Sequence, residues 1–301
     1  MTVSAPVLEG VAPVADRVLG FSVADRNVRG RIVRLDAALN AVLAAHDYPA
    51  PLATVLGQAL VLTTLLGATL QDDGGQLTLQ AQAKGGPVDL MVCDYRAGSL
   101  RGYLRHDAVP AATDLASVFG NGYLAITLDP TVGSERYQGI VPLEGASLAE
   151  AAELYFFQSE QLPTLLKIAV HWDKSRGWVG GGLLVQHLAR AEIGGERLSV
   201  ADMHPDWSHV LALASTMTDA ELTDLSLSEE ELLWRLFHDE TVRVSPGPVP
   251  TRGCRCTHSH IAGVIGQFPA DEQREMAGDD GRITVDCAFC ARGFVLDAPT
   301  A

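Results

Sequence analysis

The sequence predicts an α+β fold in three parts. Residues 1–185 read as an N-terminal mixed α/β domain with a strand meander and packed helices, 186–253 as a helical acidic linker, and 254–301 as a small C-terminal domain built around four cysteines. Three observations predict it. The apolar pattern switches to short alternating runs from Gly75 onward. Residues 186–253 hold five Lys or Arg against twelve Asp or Glu, a net −7. Four of the five cysteines fall in the last 48 residues as two tight pairs, Cys254 with Cys256 and Cys287 with Cys290.

Taken in order, "GFSVADRNVRGRIVRLD" predicts two strands, and Asp36 is placed to cap a helix through "AALNAVLAAHD". Pro51 opens the next helix, where its missing N–H costs nothing. From Pro51 to Leu70 that helix carries no charge, so a membrane span must be weighed. Gln58, the threonines and glycines within it, and the flanking Asp47, Asp72 and Asp73 with no Lys or Arg anchor favour a buried core helix. "QLTLQAQAK", "PVDLMVCDY" and "LRGYLRHD" are alternating runs separated by glycine-rich turns, and "NGYLAITLD" and "RYQGIVPLE" continue the sheet. Ser147 and Glu150 form a capping box before "LAEAAELYFFQSEQL". "TLLKIAVHW" and "GWVGGGLLVQHL" return to strand. In the acidic linker, "DWSHVLALASTM" and "SEEELLWRLFHDE" are amphipathic helices, the second opened by Ser228 and Glu231. "SPGPVPTRG" then reads as a hinge into the last domain.

The charge excludes one class of partner. A net −15 over 301 residues argues against nucleic acid, which is held by clustered Lys and Arg. The N-terminal stretch has neither a basic n-region nor an apolar h-region, so no secretory signal is expected, and a reducing cytoplasmic setting follows. There, paired cysteines read as metal or redox sites.

The four thiols follow the pattern C-x-C, thirty residues, C-x-x-C. Zinc takes four thiolates in a tetrahedron at about 2.3 Å, which puts neighbouring sulfurs about 3.8 Å apart, a spacing that close pairs on turns can meet. Gly253 and Gly293 flank the pairs, and Arg252, Arg255 and Arg292 surround a site whose four thiolates outweigh the dication. The sequence therefore assigns one zinc per chain to Cys254, Cys256, Cys287 and Cys290. His258 and His260 stand close enough to replace a sulfur, and Cys93, among apolar neighbours, reads as packing. A module this small buries too little apolar surface to fold alone, so the metal would hold it folded. The same thiolates can be oxidised, and an oxidised sulfur no longer ligates.

"GCRCTHSHIAGVIGQFP" with "DGRITVDCAFCARGFVLD" resembles the terminal module of the bacterial redox-regulated heat-shock chaperones, the thirty-three-kilodalton chaperonin family. The resemblance extends through "QLTLQAQAKGGPVDLMVCDYRAGSLRGYLRHD" and "ERYQGIVPLEGASLAEAAELYFFQSEQLPTLLKIAV". It implies an ATP-independent holdase and not an enzyme, inactive while reduced and zinc-loaded. It also implies disulfides Cys254–Cys256 and Cys287–Cys290 on oxidation, zinc release, unfolding of a metastable linker, dimerisation of a reduced monomer, and binding of unfolding client proteins. The sequence carries no G-x-x-x-x-G-K-[ST] loop for ATP. Two other readings fit the cysteines: a nucleic-acid-binding zinc ribbon, opposed by the module's seven acids against four Arg, and a thiol oxidoreductase using "CAFC", opposed by that motif following a strand.

Overall fold

The computed structural model describes residues 16–70, 74–130, 135–188 and 204–299. The N-terminal stretch read for a signal, and the part of the acidic linker over 189–203, lie outside them. The chain runs β1 (Arg17–Val23), β2 (Val28–Leu35), α1 (Ala37–Leu43), α2 (Ala50–Gly67), β3 (Gln76–Gly85), β4 (Val88–Arg96), β5 (Ser99–His106), α3 (Leu115–Phe119), β6 (Gly120–Asp129), β7 (Tyr137–Pro142), α4 (Leu148–Tyr155), β8 (Thr164–Asp173) and β9 (Gly177–His187). It continues through α5 (Pro205–Ser215), α6 (Asp219–Thr223), α7 (Glu229–Phe237), β10 (Val242–Pro246), β11 (Thr251–Arg252), α8 (His258–Ile265), α9 (Ala270–Glu275), β12 (Arg282–Asp286) and β13 (Gly293–Asp297). The fold is α+β.

Two large sheets enclose α2. One has the order β10-β1-β2-β9-β8 and the other β11-β5-β4-β3-β6-β7, while β12 and β13 form a separate pair. The uncharged helix is long and apolar enough to cross a bilayer, yet 78% of it is buried inside the protein. Its composition suits that position. Leu56, Leu60, Val61, Leu62 and Leu65 are fully enclosed, and Thr63 and Thr64 return their hydroxyls to the carbonyls of Ala59 and Leu60, so no polar atom is stranded.

The run "GGG" in β9 explains how the first sheet can be covered on both faces. A Cβ at Gly180 or Gly182 would lie 2.7 or 2.6 Å from methyls of Val61 in α2. On the opposite face, a Cβ at Gly181 would lie 2.1 Å from the carbonyl oxygen of Leu222 in α6. Only hydrogen fits on either side.

That second face is where the acidic segment settles. Trp207, Val210, Leu222, Leu232, Leu233, Leu236 and Phe237 form a second core with Leu19, Phe21, Val23, Ile32, Leu183 and Val185 of the sheet. Sequence patterning marked α5 and α7 but not α6, although Thr218 and Glu221 cap α6 reciprocally as Ser228 and Glu231 cap α7. Arginines of the first sheet and of the turn between β1 and β2 hold the acids of this segment. Arg17 reaches Glu229 and Glu230, Arg26 reaches Asp206 at 3.0 Å and Glu240 at 2.9 Å, and the buried Arg34 lies 3.7 Å from Glu229.

The stretch expected to be a hinge differs from that expectation. β10 pairs antiparallel with β1 from Val23↔Val242 to Leu19↔Pro246. The chain then crosses to the other sheet, where β11 pairs parallel with β5. Val242 and Val244 alternate as a strand requires, and Pro246 is tolerated because β10 is an edge strand. The prolines shape a crossover that is fixed at both ends. Ser147 also caps α4 with less than the full box: its hydroxyl accepts from Glu150 N, but the Glu150 carboxylate takes the N–H of Ala146.

Candidate metal centre

The cysteine shell is assembled from two knuckles. Cys254 and Cys256 leave the end of β11, and Thr257 then caps α8 by accepting from the N–H of His260. Cys287 and Cys290 follow β12 in a turn closed by Cys290 N to Cys287 O at 3.2 Å and Ala291 N to Cys287 O at 2.8 Å. Ala291 adopts a left-handed backbone (φ 53°), so the knuckle bends at an alanine and the flanking Gly293 sits already in β13.

The four sulfurs all lie within 4.8 Å of one another. Cys254 Sγ is 3.3 Å from Cys256 Sγ and 3.6 Å from Cys287 Sγ, and Cys256 Sγ is 3.3 Å from Cys290 Sγ. These spacings fall slightly inside the edge of a zinc–thiolate tetrahedron, about 3.8 Å. Burial pushes the thiol of Cys254 up, but the N–H of Cys256 and the three other thiols donate to it and bring it down to about 7. Burial, with hydrogen bonds donated to its neighbours, raises Cys256. The set can therefore release a first proton near neutrality and hold a soft dication.

Neither nearby histidine joins the sulfur group among the described residues. His258 Nε2 lies 3.2 Å from the carbonyl of Val295, and His260 is exposed on α8. Cys93 is fully buried in β4, where burial raises its thiol pKa.

The apolar content of the module is slight. The cluster around the sulfurs consists of Cys256, Cys287 and Phe294 with Cys254, Ile261, Phe289 and Cys290 against them; beyond it only Ile283 and Leu296 of β12 and β13 are buried among the module's described residues, and neither α8 nor α9 has a buried residue. A core this small does not hold a domain together unaided.

Sequence reasoning did not find the surface on which the module rests. Phe289, between the last two cysteines, stacks edge-on against Tyr103 at 4.9 Å, and the guanidinium of Arg101 lies 3.9 Å from the Phe289 ring centre. Arg255, between the first two, reaches Gln76 at 2.7 Å and Asp94 at 3.3 Å. His46 Nε2 lies 2.9 Å from the carbonyl of Ala288. The x positions of C-x-C and C-A-F-C thus grip strands β3, β4 and β5 and the end of α1. An aromatic and an arginine inside cysteine knuckles were the available signal.

Comparison with known proteins agrees with this architecture. The family model described as "Hsp33 protein" matches residues 16–297. The "33 kDa chaperonin" of Caulobacter vibrioides strain NA1000 is 41% identical over 298 residues, covering 95% of this chain and 96% of that one. The "33 kDa chaperonin" of Shigella boydii is 37% identical over 274 residues, covering 90% of this chain and 88% of that one. The crystal structure of the 33 kDa chaperonin from Thermotoga maritima superposes with a TM-score of 0.77 at 21% identity, covering 94% of this chain and 95% of that one, and shares the fold. The chain belongs to the Hsp33 protein family, whose curated members carry the name of a chaperone.

Proposed function

We propose that this chain is a redox-regulated, ATP-independent holdase of the bacterial cytoplasm, active on unfolding proteins under oxidative stress and not an enzyme. The observation that carries the reading is the convergence of Cys254, Cys256, Cys287 and Cys290 on one point in a module with almost no core of its own. An all-sulfur tetrahedral donor set suits zinc. When bound, zinc holds the four sulfurs as thiolates and contributes about 10–16 kcal/mol to folding the module.

In the reduced state the acidic helices cover one face of the first sheet, and β11, directly before the module, closes the edge of the second. On oxidation, Cys254 pairs with Cys256 and Cys287 with Cys290. Each pair of thiolates gives two electrons to one peroxide, one S–S bond forms, the O–O bond breaks, and its two oxygens take two protons from solvent to leave as two waters. Sulfurs joined in this way no longer hold a tetrahedral ion, so the module loses its staple. The acidic segment, the metastable linker of this reading, then leaves the sheet, the monomer becomes a homodimer, and clients bind. The domain limits 1–185, 186–253 and 254–301 follow from this division of labour. No nucleic acid or membrane takes part.

Peroxide should release one zinc per chain, consume four thiols and switch on suppression of a client's thermal aggregation. Equal suppression by reduced, metal-loaded protein before and after oxidant would sink the reading.

A further inference from the structure

The edge of β5 and the face beside it are covered by three unrelated devices. Thr251 N donates to Gly98 O and Gly253 N to Leu100 O, both at 2.8 Å, so the segment before the first knuckle lies against β5 as a short parallel strand. Phe289 covers the outer face of the next stretch, packed against the side chains of Arg101 and Tyr103. Beyond it, the Tyr48 hydroxyl accepts from Leu104 N and donates to Leu104 O, both at 3.1 Å. Of these only Tyr48 belongs to the N-terminal domain. The phenylalanine belongs to the module that the four sulfurs hold together, and the strand lies directly before its first cysteine.

An open strand edge accepts an extended chain, with backbone hydrogen bonds giving affinity and side-chain pockets giving choice. The chain's own residues show what such an occupant looks like here: an extended backbone along Gly98–Leu100 and an aromatic ring under Arg101 and against Tyr103. We propose that the β5 edge is a client docking site, filled at rest by β11 and Phe289 and taken over after oxidation by an extended, aromatic-bearing segment of an unfolded protein. It lies on the second sheet, away from the face covered by the acidic helices. The proposal rests on the holdase reading and adds to it where one kind of segment binds and why resting protein refuses it. Strand and ring leave together, so backbone edge and aromatic seat open in one step.

The test uses full-length, peroxide-oxidised protein and fluorescein-labelled, reduced and carboxymethylated α-lactalbumin, a chain that stays unfolded. Tyr103→Ala and Arg101→Ala should each weaken binding by roughly three- to tenfold, the size expected of one aromatic or cation–π contact. Tyr103→Phe should retain it, and Trp172→Ala, an exposed aromatic on β8, serves as the distant control. A benzophenone amino acid placed at position 103 should crosslink the probe after oxidation and not before. If oxidised wild type binds the probe while Tyr103→Ala binds it equally and no crosslink forms at 103, the docking site is overturned and the holdase reading stands. If oxidised wild type does not bind the probe at all, the holdase reading falls and takes the site with it.

Discussion

Phe237 is the place to test whether the acidic segment is a separately removable cover. Its side chain is 1% exposed, its ring centre lies 5.9 Å from that of Phe21, and it closes the second core between α7 and the first sheet. Phe237→Ala deletes a buried ring, and such deletions cost roughly 3–5 kcal/mol once the residual cavity is included. That loss falls on one docked segment, because the main core around α2 does not include Phe237. At about 1.4 kcal/mol per factor of ten, local opening should become roughly a hundred- to a few thousandfold more frequent. Hydrogen exchange followed by mass spectrometry on reduced, metal-loaded protein reads this directly. Peptides spanning α7 should exchange faster by that factor while those of α2 keep their protection, and the reduced variant should hold clients without oxidant. Wild-type exchange in α7, or equal loss of protection in α2 and α7, would refute the idea that this cover opens by itself.

Other outcomes follow from the same structure. Cys256→Ser removes one of four converging sulfurs, so zinc content should fall to a small fraction of one per chain, and amides of β12 and β13 should lose protection while β3 and β4 keep theirs. Arg34 is 1% exposed and donates to the carbonyl of Leu227 while facing Glu229, itself buried. Arg34→Ala leaves that carboxylate with Arg17 alone and the Leu227 carbonyl without its donor, and should cost roughly 1–3 kcal/mol, read as a lower thermal midpoint, whereas Arg26→Ala, at a partly exposed ion pair, should cost less. His187 is 3% exposed, and neither ring nitrogen has a hydrogen-bond partner among the described residues. Burial, and then the neighbouring His204, lower its pKa from 6.5. The fold therefore binds this proton less readily than the unfolded chain, and stability present above pH 6.5 is lost as the pH falls below that value. The melting temperature should drop between pH 7.5 and 5.5, and His187→Phe should shrink the drop.

Where local chemistry decided the structure, the sequence was readable. Twenty uncharged residues can only be a span or a core, and the polar atoms within α2 and the acids around it pointed to the core. Alternation gave β3, β4 and β5, and the spacing of four cysteines gave a shell of sulfurs within reach of one ion. Long-range pairing was hidden. Nothing in "VRVSP" says that it will lie beside β1, because five residues with one proline make a weak strand signal and the partner is more than two hundred residues away. The grip of Phe289 on Arg101 and Tyr103 likewise depends on where two distant turns meet. The triple glycine of β9 was visible as a motif, but its meaning required knowing that helices approach from both sides.

The pairing of β10 with β1 gives the molecule a direction in time. On the proposed switch, letting go of that strand is a local event once the tail is loose. Restoring it means that two stretches from opposite ends of the chain must find each other again, and such distant closure is slow. Shut-off should therefore lag behind turn-on, so that a brief burst of stress leaves an afterglow of protection.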